Sequence, residues 1–271
     1  MVEEGGPAPV PRPRRVRIIG VGPGDPDQVT LEAGRALRDV AFFVVTDKSG
    51  RGGMPDPLVN ARERLLDRHL QKPPVIVRVD DPERERRPDR TATQDEYDAA
   101  VARWHEERQT AYEEALLSRE GDAGFLVWGD PAFYDSTIRI LQSVQERGRL
   151  DLVLDVIPGI SSIQQLAARH QIVLHEVGQA LHVTSARRLH EALAQGQDNI
   201  VVMLNRVIEL EGPAMDLSDW TIWWGANLGT ATEELVAGRV GDVLPAIDEA
   251  RERVRAEAGW VMDIFLLRRE R

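Results

Sequence analysis

The chain of 271 residues contains no cysteine, which excludes both disulfides and thiolate metal sites. Its six histidines are scattered and form no HExxH-like cluster, so no metal centre is expected. Lysine is almost absent too: only Lys48 and Lys72 occur, and nearly all positive charge sits on arginine. A site for carboxylates must therefore use guanidinium, which pairs bidentately with that group. The net charge of −11 provides no positive footprint for nucleic acid. No apolar run approaches the roughly 20 residues of a spanning helix. The opening "MVEEGGPAPVPRPRR" lacks the apolar segment of a secretory signal and reads as a disordered tail over residues 1–14. These absences lead to the expectation of a cytoplasmic protein with neither a membrane nor a nucleic-acid partner.

What is present is a repeating α/β pattern. "VRIIGV" (16–21) and "AFFVV" (41–45) read as buried strands, with "TLEAGRALRDV" between them at helical spacing and Thr30 as N-cap. A strand, helix and strand in that order imply a parallel sheet. Residues 55–70 read as a second helix and 74–79 as a third strand, followed by the charged loop "DDPERERRPDRTAT" (80–93). The next helix, from about Gln94 to Ser118, puts Tyr97, Val101, Trp104, Arg108, Ala111, Tyr112 and Ala115 on one broad face, which reads as core packing. "GFLVW" (124–128), a helix near 136–147, and the strand, Pro-Gly turn and helix of "LVLDVIPGISSIQQLAARH" follow. Beyond that turn, strands succeed each other with fewer helices between them. The expected division is an N-terminal α/β domain with a parallel sheet (15–157) and a C-terminal mixed α/β domain (158–271).

The loop "RIIGVGPGDPDQVT" (17–30), with Gly20, Gly22 and Gly24, poses the functional question. A phosphate-binding Walker loop would close on GK[ST], and here "GDPD" stands in that place. A dinucleotide fingerprint would aim backbone amides at a pyrophosphate. Instead the third glycine comes one residue early, Pro23 and Pro26 withhold amides, and Asp25 and Asp27 occupy the anion's position. A cationic cofactor suits such a loop better; equally, the two aspartates suit a turn that caps the following helix.

"GVGPGDPDQVT", "WGDPAFYDS" (128–136) and "VIPGISS" (156–162), in this order and spacing, resemble the tetrapyrrole methylase family. The resemblance spans about residues 15–268. It implies a two-domain α/β fold of the class III S-adenosylmethionine-dependent methyltransferases, with the active site in the cleft between domains and a homodimeric assembly. "YDAAVARWHEER", "WWGANLGT" and "GWVMDIFLLRR" are similar to the branch that methylates C-1 of precorrin-5 in aerobic cobalamin biosynthesis, with loss of acetate. The chain departs from that branch at Ala186, where glycine is usual, and at Asn205, where an acidic residue is usual. Another precorrin ring methyltransferase and a non-catalytic tetrapyrrole carrier are the alternatives on the same fold.

Matching motif by motif, the resemblance implies that S-adenosylmethionine, with S-adenosylhomocysteine as its product, contacts Pro23, Gly129, Asp130, Phe133, Ser161, Ser162, Met203, Gly229 and Thr230. It implies no metal. Asp47, in "VVTDK" after the second strand, is the candidate general base, its plainer role being an ion pair with Lys48 or a turn. Tyr97, His105 and Asp135 are further candidates, and Tyr134 suits packing on cofactor or macrocycle. Precorrin is rich in carboxylates, so Arg187 and Arg188, or Arg84, Arg86, Arg87 and Arg90, are expected to meet it.

Overall fold

A computed structural model describes residues 12–47, 57–80, 94–205, 208, 210 and 216–270; the side chains of 57–60, 94–98 and 101 are not described. Most of the expected tail, Lys48, Arg84, Arg86, Arg87, Arg90 and the side chain of Tyr97 thus lie outside the described residues. Among the described residues, ten strands build two five-stranded sheets.

The first sheet takes β1 (Arg14–Gly20), β2 (Phe42–Asp47), β3 (Ile76–Asp80), β4 (Ala123–Val127) and β5 (Leu152–Ile157), in the order β3-β2-β4-β1-β5 and wholly parallel. Between them run α1 (Leu31–Asp39), α2 (Pro57–His69), α3 (Gln94–Leu117) and α4 (Thr137–Glu146). The two-residue period of a strand decides which helices each side chain meets. Val16 and Ile18 of β1 join Tyr112 and Leu116 of α3 and Ile140 and Leu141 of α4 in one core. Ile19 and Val21 turn the other way and join Ala33 and Leu37 of α1 with Leu65 and Leu66 of α2. Thr30 caps α1 as its sequence suggests, accepting from the Ala33 amide at 3.0 Å.

α5 (Ser162–His170) crosses to a second sheet of different character. Here β6 (His182–Ser185), β7 (Asn199–Met203), β8 (Trp220–Ala226), β9 (Glu234–Arg239) and β10 (Asp263–Arg269) stand in the order β6-β7-β10-β8-β9. Only the β6–β7 pair is parallel. α6 (Leu189–Ala194) lies between β6 and β7, and α7 (Val240–Ala258) between β9 and β10. Along β10, Phe265 and Leu267 face α7, whereas Ile264 and Leu266 face Ile163 and Leu166 of α5. α5 therefore belongs by packing to the second sheet.

No helix among the described residues is long and apolar enough to cross a membrane.

Candidate active site

Three parallel strands end together, and glycine permits their approach. The Val21 amide donates to the Val127 carbonyl at 2.9 Å, and Gly22 and Gly129 exchange amide-to-carbonyl bonds at 3.2 and 2.8 Å, so the β1–β4 pairing runs past both strands. Gly159, in the Pro-Gly turn after β5, packs onto this pair. A Cβ on Gly20 would lie 2.5 Å from the Gly159 nitrogen, and one on Gly159 would lie 2.7 Å from the Gly20 carbonyl carbon. Asp130 holds the arrangement: Oδ2 accepts from the Gly159 amide at 2.9 Å and Oδ1 from the Ala132 amide at 2.8 Å. Both its oxygens thus brace the two loops.

Gly129 itself, at φ +70, is less tightly packed and leaves room for a side-chain carbon beside the start of α5. A Cβ there would meet the Ile160 carbonyl oxygen, Ser161 Cα and the Ser162 nitrogen only at 4.0 Å. This place lies at the C-terminal strand ends of a parallel sheet, where open α/β folds receive ligands. Ser161, 3% exposed, makes a full capping box with Gln164 and fixes the start of α5. On the same rim Phe133 and Tyr134 are partly exposed, Tyr134 at φ +52. Backbone groups flanked by aromatic surface thus meet at these strand ends.

The second sheet closes the other side. A Cβ on Gly24 would lie 2.6 Å from the Leu228 carbonyl oxygen, and one on Gly229 would lie 2.9 Å from the Asp25 nitrogen. The turn after β1, with Pro23 buried in it, therefore rests on the loop holding Gly229 and Thr230. Asn227, at φ +45, organises that loop. Its Oδ1 accepts from the Met262 amide at 2.9 Å, and Nδ2 donates to Thr232 Oγ1 at 3.1 Å and to the Trp260 carbonyl at 3.3 Å. Trp260 meets Trp128 edge-on across the two sheets, with centroids 6.4 Å apart. Met203 ends β7 and packs against the cluster of Ile163 and Leu228. The structure thus brings Gly129, Asp130, Phe133, Ser161 and Ser162 together at the strand ends of the first sheet, seats the Pro23 turn on Gly229 and Thr230, and sets Met203 at the end of β7 against Ile163 and Leu228.

The acidic loop is a different matter. Asp25 accepts from the Asp27 amide at 2.9 Å and caps a short 3-10 turn, and Asp27 reaches Arg68 at 3.4 Å on the surface. Their carboxylates serve the turn, which is the plainer of the two readings. Asn205 donates to the carbonyls of Val202 and Asp263 at 3.4 and 3.2 Å, tying the turn after β7 to β10.

Asp47 lies one strand away from the Gly129 loop. The β2–β4 register pairs Val44 with Phe125, and three residues further on this alignment sets Asp47 level with Trp128, next to Gly129. Its carboxylate is largely buried and stands 3.3 Å from Arg78, which also pairs with Glu63. Asp135 accepts from the Thr137 amide at 2.6 Å and so caps α4, and His105 packs edge-on against Trp104. Arg188 is engaged bidentately with Glu191 at 3.0 and 2.8 Å, and its hydrogen bonds hold that carboxyl below the usual range. Among the described residues no cluster is placed to hold a metal ion. The sequence reading missed the organising role of Asn227. Its signal was an asparagine within "WGANLGT", since asparagine tolerates the left-handed backbone.

The family of Tetrapyrrole (Corrin/Porphyrin) Methylases matches residues 15–244, and the chain belongs to it. Its fold is the two-domain class III methyltransferase fold of that family. Precorrin-6A synthase [deacetylating] of Sinorhizobium sp. is 40% identical over 262 residues, 94% of this chain and 95% of that protein. The crystal structure of a cobalamin synthesis related protein, CobF, from Corynebacterium diphtheriae superposes with a TM-score of 0.77 at 33% identity, covering 95% of this chain and 99% of that one. A uroporphyrin-III C-methyl transferase from Thermus thermophilus, solved with S-adenyl homocysteine, shares the fold alone: TM-score 0.51, 17% identity, 94% and 92% coverage.

Proposed function

We propose that this chain is a precorrin-6A synthase, methylating C-1 of precorrin-5 and releasing its acetyl group as acetate. The observation that supports it is near-full-length similarity with a deacetylating precorrin-6A synthase, joined to the meeting of glycine backbone from Gly22, Gly129 and Gly159 at the strand ends. S-adenosylmethionine, when bound, supplies a sulfonium-activated methyl group. Gly129, Ser161 and Ser162 line its place with backbone, Phe133 and Met203 offer apolar surface, and Gly229 and Thr230 close it from the second domain. Asp130 acts by bracing the Gly129 and Gly159 loops rather than by direct contact. We place the domain boundary at 157/158, since α5 packs on the second sheet. A homodimer working in the cytoplasm completes the proposal.

The chain's own chemistry has two parts. Methyl transfer needs the acceptor carbon held about 3–3.5 Å from the methyl, in line with sulfur, in a pocket that excludes water. Loss of the acetyl group is acyl transfer to water. The water oxygen bonds to the acetyl carbonyl carbon, the bond from that carbon to the ring breaks with its electron pair passing into the conjugated ring, and the water's proton passes to a base. Asp47 is that base: its carboxylate takes the proton while Arg78 holds it in place.

The test is product analysis with precorrin-5 and S-adenosylmethionine. One acetate is expected for each S-adenosylhomocysteine formed. A methylated product retaining its acetyl group would identify another ring methyltransferase, and no methyl transfer would identify a carrier. Asp47→Asn is expected to lower turnover about 10²–10⁴-fold while S-adenosylhomocysteine still binds; unchanged turnover removes Asp47 from the mechanism.

A further inference from the structure

α3 is longer than the sheet it covers. At about 1.5 Å per residue its 24 residues run about 36 Å, against about 16 Å for the five residues of β4. Tyr112 marks where the sheet stops. Its ring packs on Phe125 with centroids 4.9 Å apart, and its hydroxyl lies 2.9 Å from Thr46 Oγ1, one residue before β2 ends. As the crossover between parallel strands, α3 runs against their direction, so residues before Tyr112 stand beyond the C-terminal strand ends. That is the side of the candidate active site.

Arg108 sits one helical turn into this overhang. Its guanidinium donates to the Tyr112 hydroxyl at 2.6 Å and to Ser136 Oγ at 3.1 Å, and lies over the rings of Trp104 and Tyr112. Thr46, Tyr112, Arg108 and Ser136 thus form one polar chain. It spans from the strand end before Asp47 to the end of the loop bearing Gly129, Asp130 and Phe133.

Ser136 shows that this chain is more than packing. It occupies the N-cap of α4, where a serine hydroxyl ordinarily accepts a first-turn amide, yet it makes no such bond. Asp135 accepts the Thr137 amide instead, at 2.6 Å, and the serine hydroxyl receives Arg108. The Tyr112 side chain is buried, 2% exposed, so its hydroxyl depends on Thr46 and Arg108.

We propose that Arg108 and Tyr112 are positioning residues. Through Thr46 and Ser136 they fix the β2 end carrying Asp47 relative to the loop carrying Gly129. They act through these neighbours, and the inference rests on the functional reading above.

The test compares Tyr112→Phe, Ser136→Ala and Ser136→Thr. Each of the first two removes one hydroxyl with little change of shape, whereas threonine keeps the hydroxyl. Tyr112→Phe and Ser136→Ala are expected to lower kcat about tenfold, the scale of one lost hydrogen bond to a charged group. KM for precorrin-5 and S-adenosylhomocysteine affinity by calorimetry stay within about twofold, because the Gly129 loop is braced separately by Asp130. Ser136→Thr retains the wild-type kcat. An unchanged kcat in Tyr112→Phe and Ser136→Ala overturns the proposal, as does a loss shared by Ser136→Thr or matched by weaker cofactor binding. Should the wild type show no turnover, the functional reading fails and the relay is judged by amide hydrogen exchange at residues 44–47 and 130–136. Faster exchange in Tyr112→Phe and Ser136→Ala, but not in Ser136→Thr, supports it; wild-type exchange overturns it.

Discussion

The two walls of the cleft are held by different means. On the first sheet, Gly20 and Gly159 let strand ends touch backbone to backbone, Gly22 and Gly129 exchange backbone bonds, and Asp130 adds a side-chain brace. On the second, polar side chains do the holding: Asn227 makes three hydrogen bonds, Asn205 ties β7 to β10, and Glu233 accepts from the Gly229 amide at 2.6 Å. A backbone junction has nothing that can rotate away, whereas a side-chain junction loses its bonds one at a time. The first wall should therefore fail abruptly on substitution and the second in steps.

Gly159→Ala should have the largest effect. Its methyl group would press on the Gly129 carbonyl oxygen and stand 2.7 Å from the Gly20 carbonyl carbon, both backbone atoms. Denaturant unfolding should show a loss of about 3 kcal/mol, the upper range for overpacking, or no folded protein at all. A wild-type midpoint would mean that the strand ends are not locked as described.

Asn227→Ala should cost less, about 2 kcal/mol, because it removes the hydrogen bonds and leaves a β-carbon on a left-handed backbone. Asn227→Gly keeps that backbone without strain and should fall between the alanine variant and wild type. If glycine proves the worse of the two, backbone strain is not what asparagine relieves there.

The smallest effect should be a change of pH dependence. Behind Asn227, Asp263 is buried with Arg251 at 2.8 Å and accepts from Trp224 Nε1 at 3.2 Å. Burial pushes its carboxyl up despite the opposing pull of Arg251. The folded value therefore lies above the ordinary value of about 3.9, so the folded chain holds this proton to higher pH than the unfolded chain. That contribution to stability is full below about pH 3.9 and is lost as pH rises through the raised folded value. Wild type should gain stability relative to Asp263→Asn as pH falls toward about 4. Parallel stability curves for the two proteins would show that Asp263 does not titrate across folding.

Periodicity made much of the first domain legible. The strands and helices fall within a few residues of their expected bounds, because each strand is apolar toward two helix layers and each helix carries a single apolar face. The glycine-rich motifs were equally readable as loops at strand ends. Less readable was the work of each polar residue. Asp25 and Asp27 suited a cationic ligand and a turn alike, and the fold uses them in the turn because Arg68 and the Asp27 amide lie within reach.

The stripe of Trp104, Arg108 and Tyr112 read as core. Local pattern cannot reveal that most of α3 overhangs its sheet, since that depends on how the helix length compares with a strand far along the chain. Sequence alone determined the alternation of elements, the glycine positions and the family resemblance, all properties of neighbouring residues. Which carboxylates brace loops, which hydroxyl leaves its helix cap, and which residues meet between the sheets were decided by tertiary structure. These depend on contacts between residues far apart in the chain, such as Gly24 against the Leu228 carbonyl and Gly159 against Gly20, and only the closed fold brings such partners together.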